Sequence, residues 1–487
     1  MALPPRADDP LCGRLWAITN SAHRDLASVL AATLLTVVAC TGQPAERPTA
    51  GPTRTPATST APAQTAQDGR TKTPLVVAVH PTRQGLTLTG TQLAALRAGT
   101  VTDWAELGAA AAPLRTGSLD EVAADRDVLA LVPATDVRPP IAVATVDGVH
   151  PLRDPAAYPA TVPGPATPPV TTVTVTGDIM LARRVGDRLD QVSDQAAALR
   201  PIARRLAASD LTIGNLESTL SKAGAPRQGG DSFGARPQVR AGLRLAGFDV
   251  LSLANNHVGD YGPRALRQTL RRVEAGGFAG VGAGSDLAAA VQPVVVERHG
   301  VRFGIVAFDA IGETPAATAD RPGALRVRMQ PRTGPLVASD LQRVTDVVRA
   351  LRDDVDVVLV LPHWGTQYTT RTVRDQRAVA RRLVRAGADL VVGGHPHWVQ
   401  GVESLPGGLV IYSLGNFVFD MDSTRETQEG AVLELTYWGT ELKAAELVPL
   451  VIGPDFAPRV ARGERATAVL DRIWSASGGP LRGSYAR

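Results

Sequence analysis

Five short stretches of this sequence place imidazole, carboxylate and carboxamide side chains directly after apolar runs that read as strands. Val173–Val175 leads into Gly177, Asp178, Ile179 and Met180. Leu211–Ile213 leads into Gly214, Asn215, Leu216 and Glu217, and Val250–Leu253 into Ala254, Asn255, Asn256 and His257, with Asp260 close behind. Val357–Leu361 leads into Pro362, His363, Trp364 and Gly365, and Leu390–Val392 into Gly393, Gly394, His395, Pro396 and His397. In α/β proteins, functional loops lie just past the carboxyl ends of strands. One such His or Asp proves little, since a capped turn or a satisfied core polar group explains it as well. The joint pattern says more: four of the eight histidines, His257, His363, His395 and His397, fall in these loops. His395 and His397 are two apart, which in an extended segment points both to one side, with Pro396 stiffening the turn. Imidazole, carboxylate and amide oxygen together suit Mn, Fe, Zn or Mg. The two cysteines, Cys12 and Cys40, have no CxxC partner, so no thiolate zinc site can be built.

The elements that must hold these loops alternate between strand and helix. Helices are expected over Arg240–Ala246, Pro263–Ala275, Asp340–Leu351 and Gln376–Ala386, the last ending at Gly387 in a C-cap position. Pro263 falls in a first helical turn, where its missing N–H costs nothing, and Asp260 is expected to cap that helix. Val294–Glu297 and Val301–Phe308 read as a hairpin through His299 and Gly300. Leu409–Tyr412, Gly430–Trp438 and Glu441–Val451 add antiparallel pairing. Such alternation implies an α/β sheet with helices outside. Gly415, Asn416 and Phe417 either line the cleft or close a turn, and Trp364 and Trp398 flank histidines where packing is the simpler role.

The remainder of the chain divides by composition. Residues 26–39 form a short apolar run preceded by Arg6, Arg14 and Arg24, the pattern of a secretory signal. Val37, Val38, Ala39 and Cys40 resemble a bacterial lipobox, which implies lipidation of Cys40 and an exported, envelope protein lipid-anchored to the outer face of the cytoplasmic membrane. Residues 41–74, rich in Thr, Pro, Ala, Gly and Gln, cannot bury enough surface to offset their ordering entropy and read as a tether. Residues 75–160 form a smaller α/β domain. Within it Leu86–Gly108 and Val132–Val149 resemble parts of a phosphate-type periplasmic solute-binding fold. A proline-rich stretch, Pro151–Pro169, is a linker or an extended wrap, with the linker proper at 161–170. The main domain is expected at 171–453 and a tail with a short helix at 454–487. Net charge is only +4, and no basic block long enough to track a phosphate backbone occurs, so nucleic acid is an unlikely partner class.

Taken in order, TGDIML, IGNLES, LANNHVGDYG, PHWGTQY, GADLVVGGHPHWVQGVE and YSLGNFVFD, spread between Val173 and Asp420, resemble the CapA family. That family is tied to poly-γ-glutamate capsule synthesis and related to calcineurin-like metallophosphatases. The resemblance implies a four-layer α-β-β-α sandwich holding one or two divalent ions. It implies Asp178, Asn256, His363, His395 and His397 as metal ligands, Asn215 and Glu217 in place of the usual bridging Asp, and His257 as the acid that protonates a leaving group. Ordinary metallophosphatases carry His two residues after the first Asp, where this chain has Met180. The function implied is capsule-type polymer synthesis or export with a metal-dependent phosphoesterase site. It would act on a polymer or a phosphorylated small molecule beside membrane-bound synthase partners. The alternative is a non-catalytic envelope subunit, binding polymer or partner, with a degenerate metal site; a ligand sensor driven by the smaller domain is a third reading.

Overall fold

The computed structural model describes residues 71–483. The expected signal, the lipidation site Cys40 and most of the tether lie outside the described residues.

Val170–Ile179, ten residues that alternate Val and Thr before Gly177 and Asp178, is the central strand of the first large sheet. On one side it pairs in parallel with Leu211–Leu216, which pairs with Val250–Ser252 and then Ala279–Val281. On the other it meets Glu429–Trp438 antiparallel, followed by Glu441–Ile452 and Pro458–Val460. The second sheet runs Val294–Arg298, Val301–Asp309, Val357–His363, Leu390–Val392, Gly408–Ile411 and Val402–Leu405. Its four central strands are parallel and its edges antiparallel. Parallel strands are covered on both faces, so they read as unbroken apolar runs; every residue of Val357–His363 is buried.

Three apolar clusters set the layer order. Val173, Val175, Ile213 and Leu433 of the first sheet meet Phe303, Ile305, Leu359 and Leu390 of the second, so the sheets pack face to face. Leu251, Val432 and Leu450 turn outward onto helices Arg183–Gln191, Arg200–Leu206, Arg240–Leu245 and Gly262–Glu274. Val306, Val358, Val360 and Val391 turn outward onto Ala338–Asp354 and Arg374–Ala386. The architecture is the expected four-layer α-β-β-α sandwich. All strands that carry candidate site residues end at one edge of it.

A smaller five-stranded sheet precedes the sandwich, in the order Arg115–Thr116, Val128–Pro133, Lys72–Val79 and Ala142–Val143, with Thr161–Pro163 also paired to Lys72–Val79. Within the proline-rich stretch, 151–157 runs through turns and Thr161–Pro163 is a paired strand where a linker was expected, with Leu152, Tyr158 and Ala160 buried along the way. The small sheet shares a cluster with Trp438 and Ala444 of the sandwich, and Trp438 Nε1 donates to the Leu152 carbonyl at 2.8 Å. Helix Gly463–Ala476 seals the inter-sheet core with Val469, Leu470, Ile473 and Trp474.

Candidate metal centre

Parallel pairing aligns the strand ends. Asp178 is in register with Asn215 across the first sheet, and His363 closes the middle strand of the second. The buried carboxyl of Asp178 accepts from Asn215 Nδ2 at 2.8 Å and from the His395 backbone N–H at 3.1 Å. Glu217 Oε1 lies 3.4 Å from His363 Nε2 and 3.9 Å from His257 Nε2. His363 Nε2 is also 2.9 Å from Asn256 Oδ1. Two donor sets result. Glu217, His395 and His397 form one, and Asp178, Glu217 and His363 form the other, with all donor atoms within each set lying within 4.8 Å of one another. Glu217 belongs to both.

The histidine loop reaches this position differently from the sequence expectation. His395 and His397 are not in an extended segment; both have positive φ, 94° and 58°. A side chain in that region strains the backbone by about 1–3 kcal/mol, and a turn, not strand alternation, aims both rings inward. Gly394 lets the loop approach: a Cβ there would stand 2.6 Å from Asp178 Oδ1 and 3.3 Å from His363 Nδ1. His397 Nδ1 bonds Asn416 Oδ1 at 2.9 Å. An amide oxygen only accepts, so Nδ1 carries the proton and Nε2 keeps its lone pair.

The electrostatics show what the cluster lacks. Both carboxylate oxygens of Glu217 and both ring nitrogens of His395 are buried without a hydrogen-bond partner. Burial pushes Glu217 up to about 8. Burial, reinforced by Glu217, pushes Asp178 up to about 7. Burial drives His397 down to about 3 and holds His395 well below the ordinary histidine value. Buried polar groups are almost always paired, and four unpaired donor atoms facing one another are costly. A divalent cation satisfies carboxylate and imidazole together and reverses these shifts. The residues present fit such an ion: Asp178, Glu217, Asn256, His363, His395 and His397 would hold it.

His257 is held apart from the unsatisfied donors. Its Nδ1 is 2.9 Å from Asp260 Oδ2, and its ring stacks on Phe233 at 3.7 Å. Asp260 is not the helix cap expected from sequence. The helix Gly262–Glu274 follows Tyr261 without a side-chain cap. The buried Asp260 instead accepts from the Phe233 N–H at 2.6 Å, from Gln228 at 2.5 Å and from His257. Met180 lies in the apolar cluster under the helices, its sulfur 3.1 Å from the Ala182 N–H, and is in neither donor set. Asn215 accepts from Asn255 Nδ2 at 3.0 Å and donates to Asp178, so in this arrangement it braces that carboxylate.

Sequence reasoning passed over several neighbours. Asp309 sits opposite His363 at its own strand end, fully buried and paired with Arg326 at 2.8 Å. The same strand-end rule that found His363 would have found it, had the strand been carried one residue past Phe308. Phe233 and Gln228 come from loops or turns with no periodic signal, and Arg183, which opens helix Arg183–Gln191, lies over Phe233 at 4.5 Å.

The model of a family described as bacterial capsule synthesis protein PGA_cap matches residues 172–421, the span that holds every residue above. The capsule biosynthesis protein CapA of Bacillus anthracis is 32% identical over 286 residues, 58% of this chain and 67% of that protein. The PGA biosynthesis protein CapA of Bacillus subtilis is 31% identical over 275 residues, 54% of this chain and 67% of that one. A protein of Mycobacterium tuberculosis named a probable polyglutamine synthesis accessory protein is 32% identical over 259 residues, 51% and 66% of the respective chains.

Proposed function

This chain belongs to the PGA_cap family of bacterial capsule synthesis proteins, and from that premise we propose that it serves poly-γ-glutamate-type polymer synthesis or export through a metal-dependent phosphoesterase site. The observation that carries the reading is the pair of donor sets sharing Glu217, with His257 beside them but bonded elsewhere. A bound divalent ion would supply Lewis-acid stabilisation of a phosphoryl oxygen. The chain's own groups supply the rest. Asp260 fixes the His257 ring and the proton on Nδ1, and Phe233 holds its plane, which leaves Nε2 facing the centre. Protonated there, His257 donates to the leaving oxygen, and Asp260 stabilises the imidazolium until the proton departs. Asn416 orients His397, and Asn215 orients Asp178. The substrate class is a phosphoester on the polymer or on a small precursor. In keeping with a relative named a probable polyglutamine synthesis accessory protein, the working partner is the polymer's synthase.

A second reading, a non-catalytic subunit with a degenerate site, rests on Met180, which puts no imidazole into the centre. Metal content paired with hydrolysis of a chromogenic phosphoester, screened over Mn and other divalent ions, separates the two. His257→Ala should keep its metal and lose about 10²–10⁴-fold in rate, whereas His395→Ala should lose both. Metal bound by the wild type without hydrolysis under any ion would favour the second reading.

The same proposal places the protein on the outer face of the cytoplasmic membrane through lipidated Cys40. Cys40→Ser should move it from the membrane fraction to the soluble exported one, and unchanged fractionation would refute the anchor.

A further inference from the structure

Away from the metal centre lies a cavity of about 550 Å³, within the range of small-molecule sites. Helix Arg374–Ala386 contributes Arg377 and Arg381, strand Val402–Leu405 contributes Glu403, and the terminal turn Gly479–Leu481 leads to Arg482. The one carboxylate in this wall is already engaged. Glu403 accepts from Arg381 at 2.9 Å and from the Tyr412 hydroxyl at 2.5 Å. Arg377 donates only to the Thr372 hydroxyl, at 2.7 Å. Among the described residues neither Arg377 nor Arg482 enters an ion pair, and three guanidinium groups share this wall with one carboxylate, an excess of two positive charges.

The positive charge continues outside the cavity. Arg374 and Arg385 extend it beyond the cavity residues Arg377 and Arg381, the latter paired with Glu403; all four are exposed, and their spacing of three, four and four residues places them on one face of the helix. Neighbours at that spacing stand about 5–6 Å apart. One small acid would neutralise the cavity pair and leave the rest of the stripe unmet; a flexible chain with an acid on every unit meets both. Guanidinium groups bind carboxylates through two parallel hydrogen bonds. A single segment, residues 365–373, joins this place to the metal centre. At one end the Tyr368 ring stacks over His397 at 6.0 Å and the Tyr368 N–H bonds the Pro396 carbonyl. At the other, Thr372 lines the cavity, and Gln400 Nε2 holds the Thr369 and Arg371 carbonyls at 3.1 and 3.2 Å.

We propose that this cavity and the arginine stripe beside it bind a run of a polycarboxylate chain next to the segment that covers His397. The choice of carboxylate over phosphate rests on the capsule-polymer reading above; the site itself rests on its charge and shape.

The test uses the full chain and fluorescent poly-γ-glutamate of defined length. Arg377→Glu combined with Arg482→Glu should weaken binding about tenfold or more, as lost charge-assisted contacts do. Both residues are exposed, so an unchanged melting temperature is expected. Arg267→Glu combined with Arg271→Glu, on the exposed face of a different helix, should leave binding unchanged. Hydrolysis of a chromogenic phosphoester is read beside polymer binding on the same wild-type samples, which keeps this result separate from the phosphoesterase reading: hydrolysis can fail while cavity binding stands, and the reverse. The inference is overturned if the wild type does not bind the polymer, or if the cavity double variant binds as tightly. It is also overturned if the control pair weakens binding equally, or if polyphosphate of equal charge binds the cavity better than the polycarboxylate.

Discussion

Two groups of buried carboxylates in this molecule meet opposite fates. At the seam between the small sheet and the sandwich, Arg153 reaches Glu434 at 2.7 Å and Glu446 at 2.5 Å, while Arg205 reaches Glu434 at 2.6 Å. Burial alone would raise Glu446, but His150 and Arg153 carry it down to about 2. At the strand ends, Glu217 and Asp178 are buried more deeply still, yet no Arg or Lys pairs with them among the described residues, and they rise to about 8 and about 7. The seam completes its charges with side chains of the same chain. The strand-end cluster surrounds its carboxylates with imidazoles, a donor set that could hold a cation. Burial by itself thus does not mark a functional carboxylate; the kind of partner does.

The contrast can be broken from either side. The largest stability effect is expected at the seam. Arg153→Ala leaves Glu434 to Arg205 and Glu446 to His150 and should cost about 2 kcal/mol in denaturant unfolding, with metal content unchanged; a loss of metal would mean that the two regions are not independent. At the strand ends the sign reverses. In metal-free protein Glu217→Gln removes an unpaired ionisable group and should raise stability on the order of 1 kcal/mol at pH 8, while metal no longer stabilises the fold.

The smallest effect is in pH dependence. Above the ordinary histidine pKa of about 6.5, His363, His395 and His397, which burial holds below that value, no longer contribute to the pH dependence, while the buried carboxylates Asp178 and Glu217 do. The folded state then holds protons on Asp178 and Glu217 that the unfolded state has lost. Stability of the metal-free protein should therefore fall as pH rises from about 6.5 to about 8, and saturating metal should flatten that slope. Glu446, shifted downward, contributes stability that is full above its unfolded pKa of about 4.5 and is lost as pH falls toward about 2. Melting curves with and without chelator across both windows check the two signs.

Much of the site was legible because parallel strands end together. Read as strand-end residues, Asp178, Glu217 and His257 fall at one edge of the first sheet and His363, His395 and His397 at one edge of the second; the CapA resemblance supplied the stacking of the two sheets that brings those edges together. What was not legible depends on contacts between loops. The Asp260 position reads as a helix cap from its spacing to Pro263, and only tertiary packing turns its carboxyl toward His257 and the Phe233 backbone. The positive φ at His395 and His397 has no local sequence signal, because residues other than Gly adopt it only when their surroundings compel it. The wrap at Thr161–Pro163 was ambiguous for a related reason: prolines fit a linker and an edge strand equally well, and the partner strand is nearly 90 residues away in sequence.

The central claim is that Glu217 is shared between two sets of metal donors. Elemental analysis of the purified wild type and of Glu217→Gln, after equilibration with Mn, Fe or Zn and removal of loose ions, tests it most directly. The account predicts about two ions per wild-type chain, as in two-metal phosphoesterase sites, and loss of both from the variant. A wild type that retains no ion, or a variant that retains as many as the wild type, would contradict it.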